Sequence, residues 1–222
     1  VTLLRRSVAE LVGTAFLVAA VVGSGIAATR LSPGEPGLQL LENSLATGAV
    51  LVALVLALQP VSASFNPVVT LVERLLGRIG SRTAFTLVAA QVAGGALGAV
   101  LANLMFDLAP VSIASTERDG AHLLLAEAVA TVGLVLVVVG SLRAGRVEVV
   151  ALAVGGYIAA AYWFTSSTSF ANPAVTVARM LSDTFAGIAP GSVPAFVAVQ
   201  LIAGAAAAAL VAFLALDREV TA

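Results

Sequence analysis

The sequence predicts an all-α membrane protein of six full spans and two half-helices, arranged as an inverted repeat. Three observations lead there. Of 222 residues, 60% are apolar and only 10% charged, with a mean hydropathy of +1.07. Soluble domains carry about 25% charge, so a chain this apolar cannot hide its surface in one soluble core. Six apolar runs are long enough to cross a bilayer. Two Asn-Pro steps each open a run too short to do so, and the two halves of the chain share landmarks in the same order.

The long runs lie at about 7–29, 40–62, 83–106, 121–141, 147–167 and 193–216, each near the roughly 20 residues that span a hydrocarbon core. Between them lie polar or turn-rich breaks at 30–37, 107–120, 141–146 and 189–194. None has the character of a domain linker, so a single domain over 1–222 is expected, with repeat halves of about 1–110 and 118–222. The first run outlasts a signal-peptide core and lacks a clear cleavage site, so no cleavable signal is expected.

The half-helices begin at Asn66-Pro67 and Asn172-Pro173. Proline at the first helical position with asparagine before it as N-cap starts a helix and does not continue one. The first stays apolar only to about Leu76, before Gly77 and Arg78; the second meets Arg179, Ser182 and Asp183 at a similar distance. Ten residues at about 1.5 Å each reach about 15 Å, half of a core of about 30 Å.

The halves match as repeats. Glu10 opens AELVGTAFLVAAVVGSG and Glu127 opens AEAVATVGLVLVVVGSL, each after one alanine. Asn172 follows Asn66 by 106 positions, Glu127 follows Glu10 by 117, and Gln200 in its apolar helix repeats Gln91. Three spans per half force the copies into opposite orientations. The basic residues are all arginine. Arg5, Arg6, Arg74, Arg78, Arg82, Arg143, Arg146 and Arg218 share one side; Arg30, Arg118 and Arg179 fall on the other. The positive-inside rule then puts both termini in the cytoplasm.

Opposed half-helices must meet by their starts near the midplane, where irregular backbone survives only if buried in protein or lining a wet cavity. Each helix start carries about half a positive charge, which opposes cations. The amides of Asn66 and Asn172 can donate to a passing oxygen, while a dehydrated ion still faces several kcal/mol of desolvation, roughly, that two amides cannot offset. A passive pore for uncharged solutes follows. The absence of cysteine removes disulfides and thiolate metal sites. No cofactor or metal is implied, the net charge of -1 gives no sign of a nucleic-acid partner, and no nucleophile, base and orienter cluster suggests an enzyme.

Six spans, two half-helices, paired Asn-Pro turns and a glutamate early in the first and fourth spans resemble the aquaporin and aquaglyceroporin (major intrinsic protein) family over essentially the whole chain. Asn172-Pro173-Ala174 matches the family's signature triplet; Asn66-Pro67-Val68 departs at its third position. The resemblance implies that Glu10 and Glu127 support the loops into the half-helices, with Gln91 and Gln200 as further scaffolding. It also implies homotetramers with one pore per subunit, in the cell's inner (plasma) membrane. The family's filter arginine, directly after the second triplet, is replaced by Val175. The remaining filter positions carry over onto Thr47 or Ala46, Ala160 and Ser169. All are small and uncharged, so a wide filter without arginine or aromatic is expected, admitting solutes of glycerol size or larger, with cation exclusion resting on the midplane helix dipoles. Val175 with the following Thr176-Val177-Ala178-Arg179 resembles a bacterial subgroup associated with arsenic resistance. Neutral arsenic or antimony hydroxides are therefore candidate solutes.

Several residues admit two readings. Glu10 and Glu127 would be coupling acids in a secondary transporter, the main competing function, which also uses inverted repeats. A non-conducting packing protein is the third. His122 reads as a solvated loop-edge residue before a pH gate. Arg179 either binds loop carbonyls or Asp183, or points into the vestibule in place of the missing filter arginine. Tyr162, Trp163 and Phe164 read as interface anchors or pore lining. The Gly94 and Gly98 pair marks a close helix crossing.

Overall fold

The computed structural model describes residues 1–142 and 145–214 of the chain. Among the described residues eight helices follow in order: α1 (Leu3–Leu31), α2 (Pro36–Leu58), α3 (Pro67–Leu75), α4 (Ser81–Met105), α5 (Ala121–Leu142), α6 (Val147–Phe164), α7 (Pro173–Arg179) and α8 (Val193–Phe213). Six are long and apolar enough to cross a membrane; α3 and α7 are the half-helices. Arg143 and Arg218, two of the arginines that set the expected orientation, lie outside the described residues, as does the end of the last predicted span.

Element boundaries differ from the sequence reading where proline acts. The second span starts at Pro36, its first-turn proline, and stops at Leu58 instead of running to 62, because Pro60 has no N–H to continue the ladder. α6 stops at Phe164, where Thr165 turns to extended backbone. α3 and α7 start as expected, with Asn66 and Asn172 extended and their side chains accepting from the amides of Val68 and of Ala174 and Val175.

Packing repeats the internal symmetry. α1 crosses α4, and α5 crosses α8 in the equivalent place. A Cβ added to Gly94 would lie 2.2 Å from the Leu11 carbonyl oxygen, and one on Gly98 would lie 2.2 Å from that of Ala15. The two glycines thus let α4 rest directly on the α1 backbone. α2 meets α6 through Gly48 and Gly155, whose added Cβ atoms would lie 2.9 and 2.7 Å from the opposite carbonyl. Apolar side chains fill the rest, with Leu17, Val18, Val22, Leu134 and Val154 in the central cluster.

Candidate pore and its constriction

The two half-helices meet through their caps. Asn66 Nδ2 donates to the Ala171 carbonyl at 2.8 Å and Asn172 Nδ2 donates to the Phe65 carbonyl at 2.8 Å. Each asparagine oxygen is taken by its own helix start. A primary amide has two N–H groups, so one per asparagine remains, and both residues line the main cavity.

Those carbonyls are aimed by unusual backbone. Phe65 and Ala171, each immediately before its asparagine, both have φ of 47°, and Ser169 has 49°. Left-handed backbone in a non-glycine residue costs about 1–3 kcal/mol. The buried carboxylates hold it in place. Glu10 accepts from the amides of Ser64 (2.9 Å) and Phe65 (2.7 Å) and from Ser62 Oγ (2.5 Å). Glu127 accepts from the amides of Phe170 (2.9 Å) and Ala171 (2.8 Å). Gln91 Nε2 donates to Glu10 and to Thr70 Oγ1, and Gln200 Nε2 to Glu127 and to Thr176 Oγ1. Both carboxylates are completely buried and neither lines the cavity.

The cavity has a volume of about 250 Å³. Leu17, Val21, Leu51, Val55, Val154 and Ile158 form an apolar wall. Facing it runs a polar strip of loop backbone at 62–66 together with Ser169 and Asn172. One mouth, beyond α3, carries Arg6, Gln59 and Glu73; the other carries Thr47, Tyr162, Val175 and Arg179.

This second mouth departs from the sequence reading in two ways. Thr47, Ser169 and Val175 do line it, but Ala160 does not. Ala160 is exposed on the outside of α6, and the wall is made by Ile158 and Tyr162, one turn apart on the opposite face. An aromatic is present after all: Tyr162 is 4% exposed and its hydroxyl donates to Thr47 Oγ1 at 3.3 Å. Trp163 and Phe164 are exposed, as anchors would be. Arg179 donates from Nε to the Ala186 carbonyl, a loop carbonyl, and the residue also borders the cavity. Asp183 is instead engaged by the amide and hydroxyl of Ser115. Tyr162 was visible in the sequence as an aromatic near the end of α6; only the helix phase separates it from its neighbours. His122 is exposed.

Val68 is fully buried and away from the cavity. A Cβ on Gly204 of α8 would fall 2.5 Å from Val68 Cγ1. The larger third residue of the first Asn-Pro step is thus accommodated by a glycine on the helix behind it.

A spanning bundle with two half-helices capped against each other, beside a cavity lined from Arg6 and Glu73 to Val175 and Arg179, has the architecture of a membrane channel. The comparisons agree. The family model of the major intrinsic proteins matches residues 1–146. The chain is 51% identical over 213 residues to aquaglyceroporin AqpS of Rhizobium meliloti (strain 1021), covering 96% of this chain and 91% of that protein. Its fold matches the X-ray structure of the aquaglyceroporin from Plasmodium falciparum with a TM-score of 0.73 at 13% identity, covering 95% of this chain and 96% of the other. The chain belongs to the major intrinsic protein family. It is a multi-pass membrane protein and a passive channel for small uncharged solutes, not an enzyme.

Proposed function

We propose that the physiological solutes are neutral, hydroxyl-bearing molecules of glycerol size or of similar shape, including neutral arsenic and antimony hydroxides. The observation that carries this is the two-faced cavity. An aliphatic wall suits C–H groups, and the remaining N–H groups of Asn66 and Asn172 suit hydroxyl oxygens in single file. The name of the Rhizobium relative, an aquaglyceroporin, supports the same class. In this reading Thr47, Tyr162, Ser169 and Val175 form the constriction, and Asn66-Pro67-Val68 with Asn172-Pro173-Ala174 forms the midplane site. Glu10 and Glu127 support the loops.

A coupled transporter would need an ion site that changes occupancy during the cycle. The two repeat carboxylates are saturated by loop amides and glutamines and stand away from the cavity, which favours simple facilitation. We further propose one channel domain, a homotetrameric assembly in the cell's inner membrane, and both termini in the cytoplasm, so that the Arg179 mouth faces outward. The test is osmotic: purified protein in vesicles, with water and glycerol influx followed by stopped-flow light scattering. Fast glycerol influx that Val175→Arg suppresses is the expected result. Water passage alone would reject the glycerol-sized constriction, and arsenite uptake is then the comparison that separates polyols from hydroxides.

A further inference from the structure

Among the described residues, Glu73 is the one carboxylate that borders the main cavity. It lies in the last turn of α3, where the negative end of the helix dipole disfavours an anion. Its Oε2 is enclosed and receives no hydrogen bond. No basic group among the described residues pairs with it, although Arg6 borders the same mouth and Arg78 borders the small crevice between α3 and α5 that Glu73 also lines. Arg74, its neighbour in the chain, donates to Ser81 Oγ instead. Glu10 is the contrast: it accepts from two loop amides, from Ser62 and from Gln91. The fold satisfies the carboxylates that hold its loops and leaves this one short of donors, which is costly at an enclosed oxygen.

Donors of the right kind pass this mouth whenever a hydroxyl-bearing solute does. Glu73 follows Asn66 by seven residues along α3, about 10 Å of helix rise. The asparagine amides can donate to a solute oxygen, whereas an ionised carboxylate can only accept. Val69, Val138 and Leu142, which border both the cavity and the crevice beside Glu73, offer no acceptor at all. A solute that sheds water to enter there loses acceptors for its O–H groups, and that loss is part of the barrier to entry.

We propose that Glu73 is a specificity-determining residue at the mouth beyond α3: its carboxylate accepts hydrogen bonds from the hydroxyl groups of the entering solute and so favours solutes rich in O–H donors. The proposal rests on the reading of the permeant as a neutral, hydroxyl-bearing molecule and deepens it. Hydrogen bonds to a charged acceptor are stronger than those between neutral groups. Water is small enough to keep water neighbours as it enters. A polyol gives up more of its hydration in the same space and therefore gains more from a fixed acceptor.

Two measurements on the full chain test it. In vesicles, Glu73→Met, which has no oxygen, is expected to lower the ratio of glycerol to water influx about tenfold. Glu73→Gln keeps a neutral acceptor and is expected to hold the ratio within about threefold of wild type. A methionine variant with the wild-type ratio overturns the proposal. So does a glutamine variant as impaired as methionine, because the effect would then belong to the lost charge and not to the acceptor. The second measurement uses the absence of cysteine from the sequence. In purified Glu73→Cys, a small water-soluble thiol reagent is expected to label the introduced thiol, and molar glycerol is expected to slow the labelling several-fold. Arg74→Cys, at an exposed position outside the cavity lining, controls for viscosity and is expected to show no such protection. A thiol at position 73 that does not react, or that glycerol protects no better than the control, overturns the proposal. Wild-type vesicles without glycerol influx reject the proposed permeant itself, a failure distinct from wild-type conduction that Glu73 does not influence.

Discussion

Glu10 and Glu127 show how single residues set the pore. Each carboxylate holds amides of a loop that contains left-handed, non-glycine backbone, and the carbonyls so oriented receive the asparagine amides of the other repeat. Glu10→Gln is expected to turn an acceptor toward amides as a donor, at a cost of about 3 kcal/mol. The measurement is thermal unfolding in detergent, with conduction lost as the loop relaxes. Val68 makes the opposite case. Val68→Ala is expected to cost about 2 kcal/mol by opening a void against Gly204, with the ratio of glycerol to water influx unchanged, since Val68 does not face the cavity. Residues of this kind are legible in the sequence itself. Asn-Pro steps and paired glutamates carry their meaning locally, and the repeat doubles it. The sequence points to Ala160, which stands outside the cavity, because residue type says nothing of helix phase: α6 is apolar along most of its length, so two residues of shift leave its pattern nearly unchanged while moving an aromatic into the mouth.

At the scale of elements, glycine and the loop tethers decide the geometry. Gly98→Ala would drive a methyl into the Ala15 carbonyl, so α1 and α4 must separate, at a cost of about 1–3 kcal/mol; a lowered unfolding temperature checks it. The 107–120 loop is tied down by Asp183, whose carboxyl is held below the usual aspartate range by hydrogen bonds from the Ser115 amide and hydroxyl. The depressed value fixes the sign. The tether is fully present above the ordinary aspartate pKa of about 3.9 and is lost as pH falls through the lower value of the bound form. Hydrogen exchange at the Ser115 amide should therefore accelerate in that acid window, and Asp183→Asn should show the fast rate at neutral pH. No sequence pattern announced this tether, which joins residues 68 positions apart. The spans and half-helices, by contrast, were readable to within a few residues because hydropathy and proline act locally; the early stop of α2 lay in Pro60 itself.

For the whole molecule, the inverted repeat makes one cavity from two similar halves that are not identical in detail. Phe65, whose ring packs where Gly13 leaves room, corresponds to Ala171 in the second half, so large and small residues exchange across the pseudo-symmetry. The mouths differ more. One carries Glu73 with Arg6, the other Arg179 with Tyr162. At solute concentrations far below saturation, the permeability for a neutral solute is expected to be the same in both directions, because flux through an unsaturated passive pore is proportional to the concentration difference and vanishes with it; efflux and influx in oriented vesicles measure it. The reciprocal bonds between the two asparagines and the opposite loops also bear on how the protein is made. Asn66 waits for a carbonyl 105 residues further along the chain, roughly 5–20 s of ribosome time. Until that partner arrives, the first half-helix must be sheltered in the insertion machinery or held at the membrane surface, so the pore is completed only when the second arm folds back into the bilayer.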